Sequence, residues 1–186
     1  GVSALVIYLI GIWKFGWWCP LKPYQLNRFL VMFDPTLDPQ GAGYNVMQSK
    51  IAIGNGGLTG EGLYMGSQST GAFLPEQWTD FIFAVMAEEL GFIGAGALLL
   101  LYAFLLYRGL HAAMMSKDLY GTLVAAGIVS MYLFHILENA GMTMGLMPVT
   151  GIPLPFVSYG GSSTLTNLAG IAILQNIYIH RERLMF

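Results

Sequence analysis

The stretch FLPEQWTDFIFAVMAEELG, residues Phe73 to Gly91, sets Glu76 and Asp80 beside a proline and then runs into an apolar segment that takes in Glu88 and Glu89. Ionisable groups at membrane depth are costly and face a bundle interior or a wet cavity. A polar start, an apolar run and two carboxylates inside that run together predict a membrane-spanning helix whose outer end carries chemistry.

The composition agrees. Hydrophobic residues make up 55% of the 186-residue chain and charged residues only 10%, against about 25% charged in a soluble domain. Such a chain cannot cover itself with polar surface, so the expected fold class is an all-α integral membrane protein. The net charge of −2 gives no basic field for nucleic acid. Cys19 is the single cysteine, which excludes an internal disulfide and a cysteine metal cluster. The chain opens inside an apolar run without an initiator methionine or a charged leader, which reads as the later part of a longer protein.

Four apolar stretches approach the roughly 20 residues needed to cross a bilayer: residues 1–18, 81–107, 119–137 and 163–179. Loops are expected over 19–80 and 138–162. Arg108 and Lys117 flank the second connection and Arg181 and Arg183 close the chain, whereas 138–162 holds no Lys or Arg. Positive residues mark the cytoplasmic side, so both long loops face outward. Trp13, Trp17, Trp18 and Trp78, with Lys14 among them, form an interfacial belt.

The long loop keeps Tyr24, Phe29, Phe33 and Tyr44, so an ordered cap is expected, with a short helix or half-buried element at Gln48–Ile53. Its two Asp-Pro pairs, at Asp34 and Asp38, are turn signals. Arg28 and Lys50 are candidates for gripping a phosphate or pyrophosphate, the first as a fork and the second as a point charge. The run Gly54-Asn55-Gly56-Gly57 continuing through Gly60, Gly62 and Gly66 lacks the context of a nucleotide loop. It reads either as close backbone approach to a polar ligand or partner, or as flexibility.

With a helix starting near Trp78 or Thr79, Asp80 lies in its first turn, as a dipole-complementing residue or as a general base. Glu88 and Glu89 cannot both face lipid, so one pairs internally or is protonated. The segment HILENAGMTMGLMPVTGIPLPFVSYGGSS, His135 to Ser163, is too rich in Pro and Gly to span. It is expected as a re-entrant or capped loop held against protein. His111, His135 and His180 do not have zinc-site spacing, and no serine sits in a nucleophile elbow.

From Pro23 onward the chain resembles the carboxy-terminal half of the SEDS family (shape, elongation, division and sporulation), typified by RodA and FtsW. The blocks are YQLNR at Tyr24–Arg28, DPQGAGYNVMQSKIAIGNGG at Asp38–Gly57, FLPEQWTDFIFAVMAEELGF at Phe73–Phe92 and NAGMTMGLMPVTGIPLPFVSYGGSS at Asn139–Ser163. The wording QSKIAIGNGG and FLPE is nearer the elongation type than the division type. Trp78 departs from the histidine that members commonly carry before TDF.

The resemblance implies a peptidoglycan glycosyltransferase that polymerises lipid II outside the bacterial cytoplasmic membrane with a class B penicillin-binding protein. Members have about ten spans, so the first half would be missing here. The family's essential acid maps to Asp80, as general base or metal ligand, with a divalent cation (Mg or Mn) as an optional cofactor. Substrate-binding candidates are Arg28, Lys50, Gln48, Ser49, Glu76, Ser158 and Ser162. The rival readings are a flippase or transporter for the lipid-linked precursor, using Glu88, Glu89 and Glu138 along its path, and a scaffold that recruits a transpeptidase.

Overall fold

The computed structural model describes residues 28–32, 34–39, 41–71 and 76–180. The expected span at 1–18 with its tryptophans and Lys14, together with Cys19, Tyr24, Phe33, Arg181 and Arg183, lies outside the described residues. Among the described residues every regular element is helical. A 3-10 turn at Pro35–Leu37 leads to α1 (Ala42–Gly56), the single turn α2 (Ser67–Thr70), and the long helices α3 (Ile82–Met114), α4 (Leu119–Met144) and α5 (Gly161–Ile179). Helices α3 and α4 are long and apolar enough to cross a bilayer.

The turn at Pro35 forms because Asp34 caps it. Its Oδ1 accepts from Thr36 N at 3.0 Å and from the Thr36 hydroxyl at 2.6 Å, while proline fixes φ at the first position. The Asp38 carboxylate then accepts from Ala42 N at 3.0 Å and starts α1. Both Asp-Pro pairs are therefore turn formers. Helix α1 runs through Gly56, well beyond the short element expected at Gln48–Ile53, and packs Val46, Ser49 and Ala52 inward.

Two expected boundaries are corrected. The apolar run at 81–107 is not one straight span: Gly91 has φ 68° and ψ −168° and breaks α3 in two. Before the break, Phe81, Phe83, Ala84, Val85 and Glu88 are buried, so this half is the core of the fold. After it, Phe92, Ile93, Leu100, Leu101 and Phe104 are exposed. Phe92–Met114 is about 34 Å long at 1.5 Å per residue, enough for a bilayer core of about 30 Å.

The second correction is at α4, which continues through Met144 rather than ending at 137. Glu138, Asn139 and Thr143 remain helical because each is buried against protein with polar partners. The loop of three prolines thus shortens to 145–160. It is held against protein as expected, with Leu154 and Pro155 buried and Pro155 O accepting from the Tyr102 hydroxyl at 2.5 Å.

The break at Gly91 frees backbone groups that helix geometry would otherwise pair, and buried backbone groups need partners. The glycine-rich loop after α1 supplies them. Glu61 N and Gly62 N donate to Glu88 O and Glu89 O at 3.0 and 3.1 Å, while Phe92 N and Ile93 N donate to Gly57 O and Leu58 O at 2.9 and 3.2 Å. The loop read above as ligand approach or flexibility is a structural splice.

Candidate active site

Asp80 lies in a turn that precedes α3, not in its first turn, because Phe81 is the N-cap. The turn is organised around the Glu76 carbonyl, which accepts from Thr79 N, Asp80 N and Phe81 N at 3.2, 3.1 and 3.3 Å. Glu76 reaches this position with φ 54°, a left-handed conformation that is uncommon outside glycine.

The carbonyls of the same turn are taken from outside it. Trp78 O accepts from Tyr159 N at 2.9 Å, Thr79 O from the Ser158 hydroxyl at 2.5 Å, and Asp80 O from Asn139 Nδ2 at 2.8 Å. Three consecutive carbonyls are thus fixed by α4 and the proline-rich loop. Ser158 also accepts from Leu154 N at 2.7 Å, and Asn139 Nδ2 also donates to Ile152 O at 2.8 Å.

The Asp80 carboxyl is partly buried, and its pKa is raised above the ordinary aspartate value, first by burial and then by the neighbouring Glu76 carboxylate. A bond to Thr79 and the charge of Arg28 pull the other way. Opposite the carboxylate the loop presents Gly151, at φ 75°, where an added Cβ would stand 3.0 Å from Asp80 Oδ2. Any other residue would crowd the acid and strain the backbone.

The loop from Gly145 to Gly151 gathers the charges. Lys50 lies across Gly145, with Nζ 2.5 Å from where a Cβ would be, at the C-terminal end of α4, which favours a cation. Arg28 Nη1 donates to Val149 O at 3.1 Å. Glu138 accepts from the Thr150 hydroxyl at 2.9 Å, and Gly151 faces Asp80. Arg28, Glu76 and Asp80 form one electrostatic group, with Lys50 further along the same loop.

Two of the substrate-binding candidates, Ser49 and Ser158, are buried and hydrogen-bonded internally, and a third faces a different cavity. Ser49 is fully buried, its hydroxyl 2.9 Å from Val46 O and 2.8 Å from Thr143 O, so it joins α1 to α4. Ser158 is buried and braces the Asp80 turn. Ser162, at the start of α5, opens instead on a separate cavity of about 220 Å³ with His135, Pro153, Ser163 and Thr166. Gln48 is partly buried on α1.

Of the paired glutamates, Glu88 is the internal one. Its carboxylate accepts from Gln68 N at 2.7 Å and Ser69 N at 3.1 Å, capping α2 from across the fold, while Glu61 accepts from Ser67 N at 2.9 Å. Among the described residues no group of three or more His, Cys, Asp or Glu could hold a metal ion. Sequence reasoning missed Asn139, Gly151 and the structural role of Ser158. The signal for Asn139 was there: an amide directly after Glu138 in an apolar helix.

A broken apolar helix, an ordered cap and an acid presented by a braced turn describe the site. The model of the cell cycle protein family FtsW/RodA/SpoVE matches residues 2–183, and the chain belongs to this family. It is 47% identical over 183 residues to the peptidoglycan glycosyltransferase MrdB of Escherichia coli (strain K12), covering 98% of this chain and 50% of that protein. Stage V sporulation protein E of Bacillus subtilis (strain 168) is 46% identical over 169 residues, 91% of this chain and 46% of the relative. A solved chain from a peptidoglycan synthase complex that coordinates polymerization and crosslinking superposes with TM-score 0.73 at 33% identity, over 98% of this chain and 48% of that one. The chain spans about half the length of the relatives it matches.

Proposed function

We propose that this chain forms the catalytic half of a multi-pass peptidoglycan glycosyltransferase of the bacterial cytoplasmic membrane, acting on lipid II in wall elongation or division with a class B penicillin-binding protein. In this reading the spans Phe92–Met114, α4 and α5 leave Asp80 and the proline-rich loop on the outer side, with Arg108 and Lys117 at the cytoplasmic end. The observation that carries the reading is the raised, partly buried Asp80 carboxyl, presented by a turn whose three carbonyls are immobilised.

The reaction joins the acceptor sugar's 4-hydroxyl to the donor's anomeric carbon and expels undecaprenyl pyrophosphate with inversion. A base must take the hydroxyl proton as the bond forms, and a carboxylate tuned toward neutrality suits that step. Asp80 is that base, and Arg28 and Lys50 neutralise the departing pyrophosphate. Alternatively, Asp80 with Glu76 would hold a divalent cation (Mg or Mn), which would supply charge neutralisation at the leaving group.

The transporter reading is weakened at two of its three carboxylates, Glu88 and Glu138. Both carboxylates are buried and engaged, Glu88 by backbone N–H groups and Glu138 by Thr150, so neither lines a path. The test is lipid II polymerisation by the full-length protein with its partner, wild type against Asp80→Asn. Loss of glycan strands with lipid II binding retained is expected. Undiminished polymerisation would return Asp80 to a turn-forming role.

A further inference from the structure

Asn139 sits one turn from the end of α4, fully buried, and its amide is used in one orientation only. Nδ2 donates to Asp80 O and to Ile152 O, both at 2.8 Å, while Oδ1 is buried with no partner among the described residues. A reversed amide would set its oxygen against two carbonyl oxygens, so the nitrogen must face them. One side chain therefore ties the backbone of Asp80 to residue 152, and the loop residue just before it, Gly151, is where an added Cβ would stand 3.0 Å from Asp80 Oδ2.

We propose that Asn139 is a positioning residue for the transfer reaction: it clasps the Asp80 turn to the proline-rich loop and so fixes the gap between the Asp80 carboxylate and Gly151 in which the acceptor hydroxyl is deprotonated. The proposal rests on the reading of Asp80 as the base. Neighbouring contacts cannot replace the clasp. Ser158 and Tyr159 N hold Thr79 and Trp78, one and two residues before the acid, whereas Asn139 holds the acid's own carbonyl. Rotation of that peptide would swing the carboxylate and bring the carbonyl dipole toward it. A misplacement of about 1 Å at a reacting group can cost on the order of 100-fold in rate.

The test compares steady-state lipid II polymerisation by the full-length protein with its penicillin-binding partner, per mole of folded, monodisperse protein, for wild type, Asn139→Leu, Gly151→Ala and Asp80→Asn. Leucine keeps the branched outline of Asn139, in a bulkier form, and removes both donors. A fall in kcat on the order of 100-fold, with KM within about threefold, is expected for Asn139→Leu; a merely structural role would lower the folded yield and leave both constants unchanged. Gly151→Ala narrows the same gap from the other side and should also lower kcat with KM held. Folded Asn139→Leu with wild-type kcat, or with its loss confined to KM, overturns the proposal. If Asn139→Leu does not fold, Gly151→Ala decides, and unchanged kcat overturns it. Activity in Asp80→Asn would instead overturn the assignment of the base, whatever the other variants do.

Discussion

Gly60 and Gly91 meet backbone to backbone: a Cβ on Gly91 would stand 2.3 Å from Gly60 N, and a Cβ on Gly60 would stand 2.1 Å from Glu89 O. Both have positive φ, 81° and 68°. The break in α3 and the loop that repairs it are one device, and each glycine is required by the other segment.

Gly91→Ala and Gly60→Ala should therefore each destabilise the protein by about 3 kcal/mol or more, from overpacking against backbone and left-handed strain together. Gly96 is the control. It lies in the same helix with nothing within 4 Å of an added Cβ, so Gly96→Ala should change stability by less than about 1 kcal/mol, in the stabilising direction. Denaturant unfolding in detergent separates the two outcomes, and equal effects at Gly91 and Gly96 would remove the splice from the account.

Replacing Glu88 by leucine leaves Gln68 N and Ser69 N without their acceptor. An orphaned buried donor costs about 1–3 kcal/mol, and among the described residues those amides have no other acceptor. Hydrogen exchange at residues 67–70 should accelerate strongly in Glu88→Leu and little in Glu89→Gln. Unchanged exchange in Glu88→Leu would show that α2 holds without the trans cap.

The acid limb of polymerisation should lie above the ordinary aspartate range, since a base must be deprotonated and burial raises the Asp80 pKa. Glu76 contributes in the same direction and Arg28 in the opposite one. Glu76→Gln removes a negative neighbour, so the limb should move to lower pH; Arg28→Gln removes a positive one and should move it to higher pH. The pH profile of kcat/KM reads both shifts, and movement in the same direction for the two variants would contradict the electrostatic grouping.

Tyr159 and Tyr120 are 82% and 80% exposed and lie at opposite ends of the helical bundle. In a background free of other cysteines, Tyr159→Cys should react with a membrane-impermeant maleimide from outside intact spheroplasts, and Tyr120→Cys only after lysis. The reverse pattern would invert the orientation drawn from Arg108 and Lys117.

Composition and apolar run length determined the helical class and the two long helices, because burying backbone in lipid leaves few alternatives to helix. The position of Asp80 beside the apolar helix was legible too, from the polar start of that run. Hidden in the sequence were the places where distant segments meet. Apolar periodicity could not report the break at Gly91, because a glycine within a helical run is locally neutral and only the approach of Gly60 demands it. Nor could it extend α4 to Met144, where Glu138 and Asn139 are helical only because partners on the loop and the Asp80 turn satisfy them. Ser49 and Ser158 looked like ligand hydroxyls and became internal braces. A polar side chain carries the same letter whether it faces substrate or a carbonyl on another helix, and only the packing of the helices decides which.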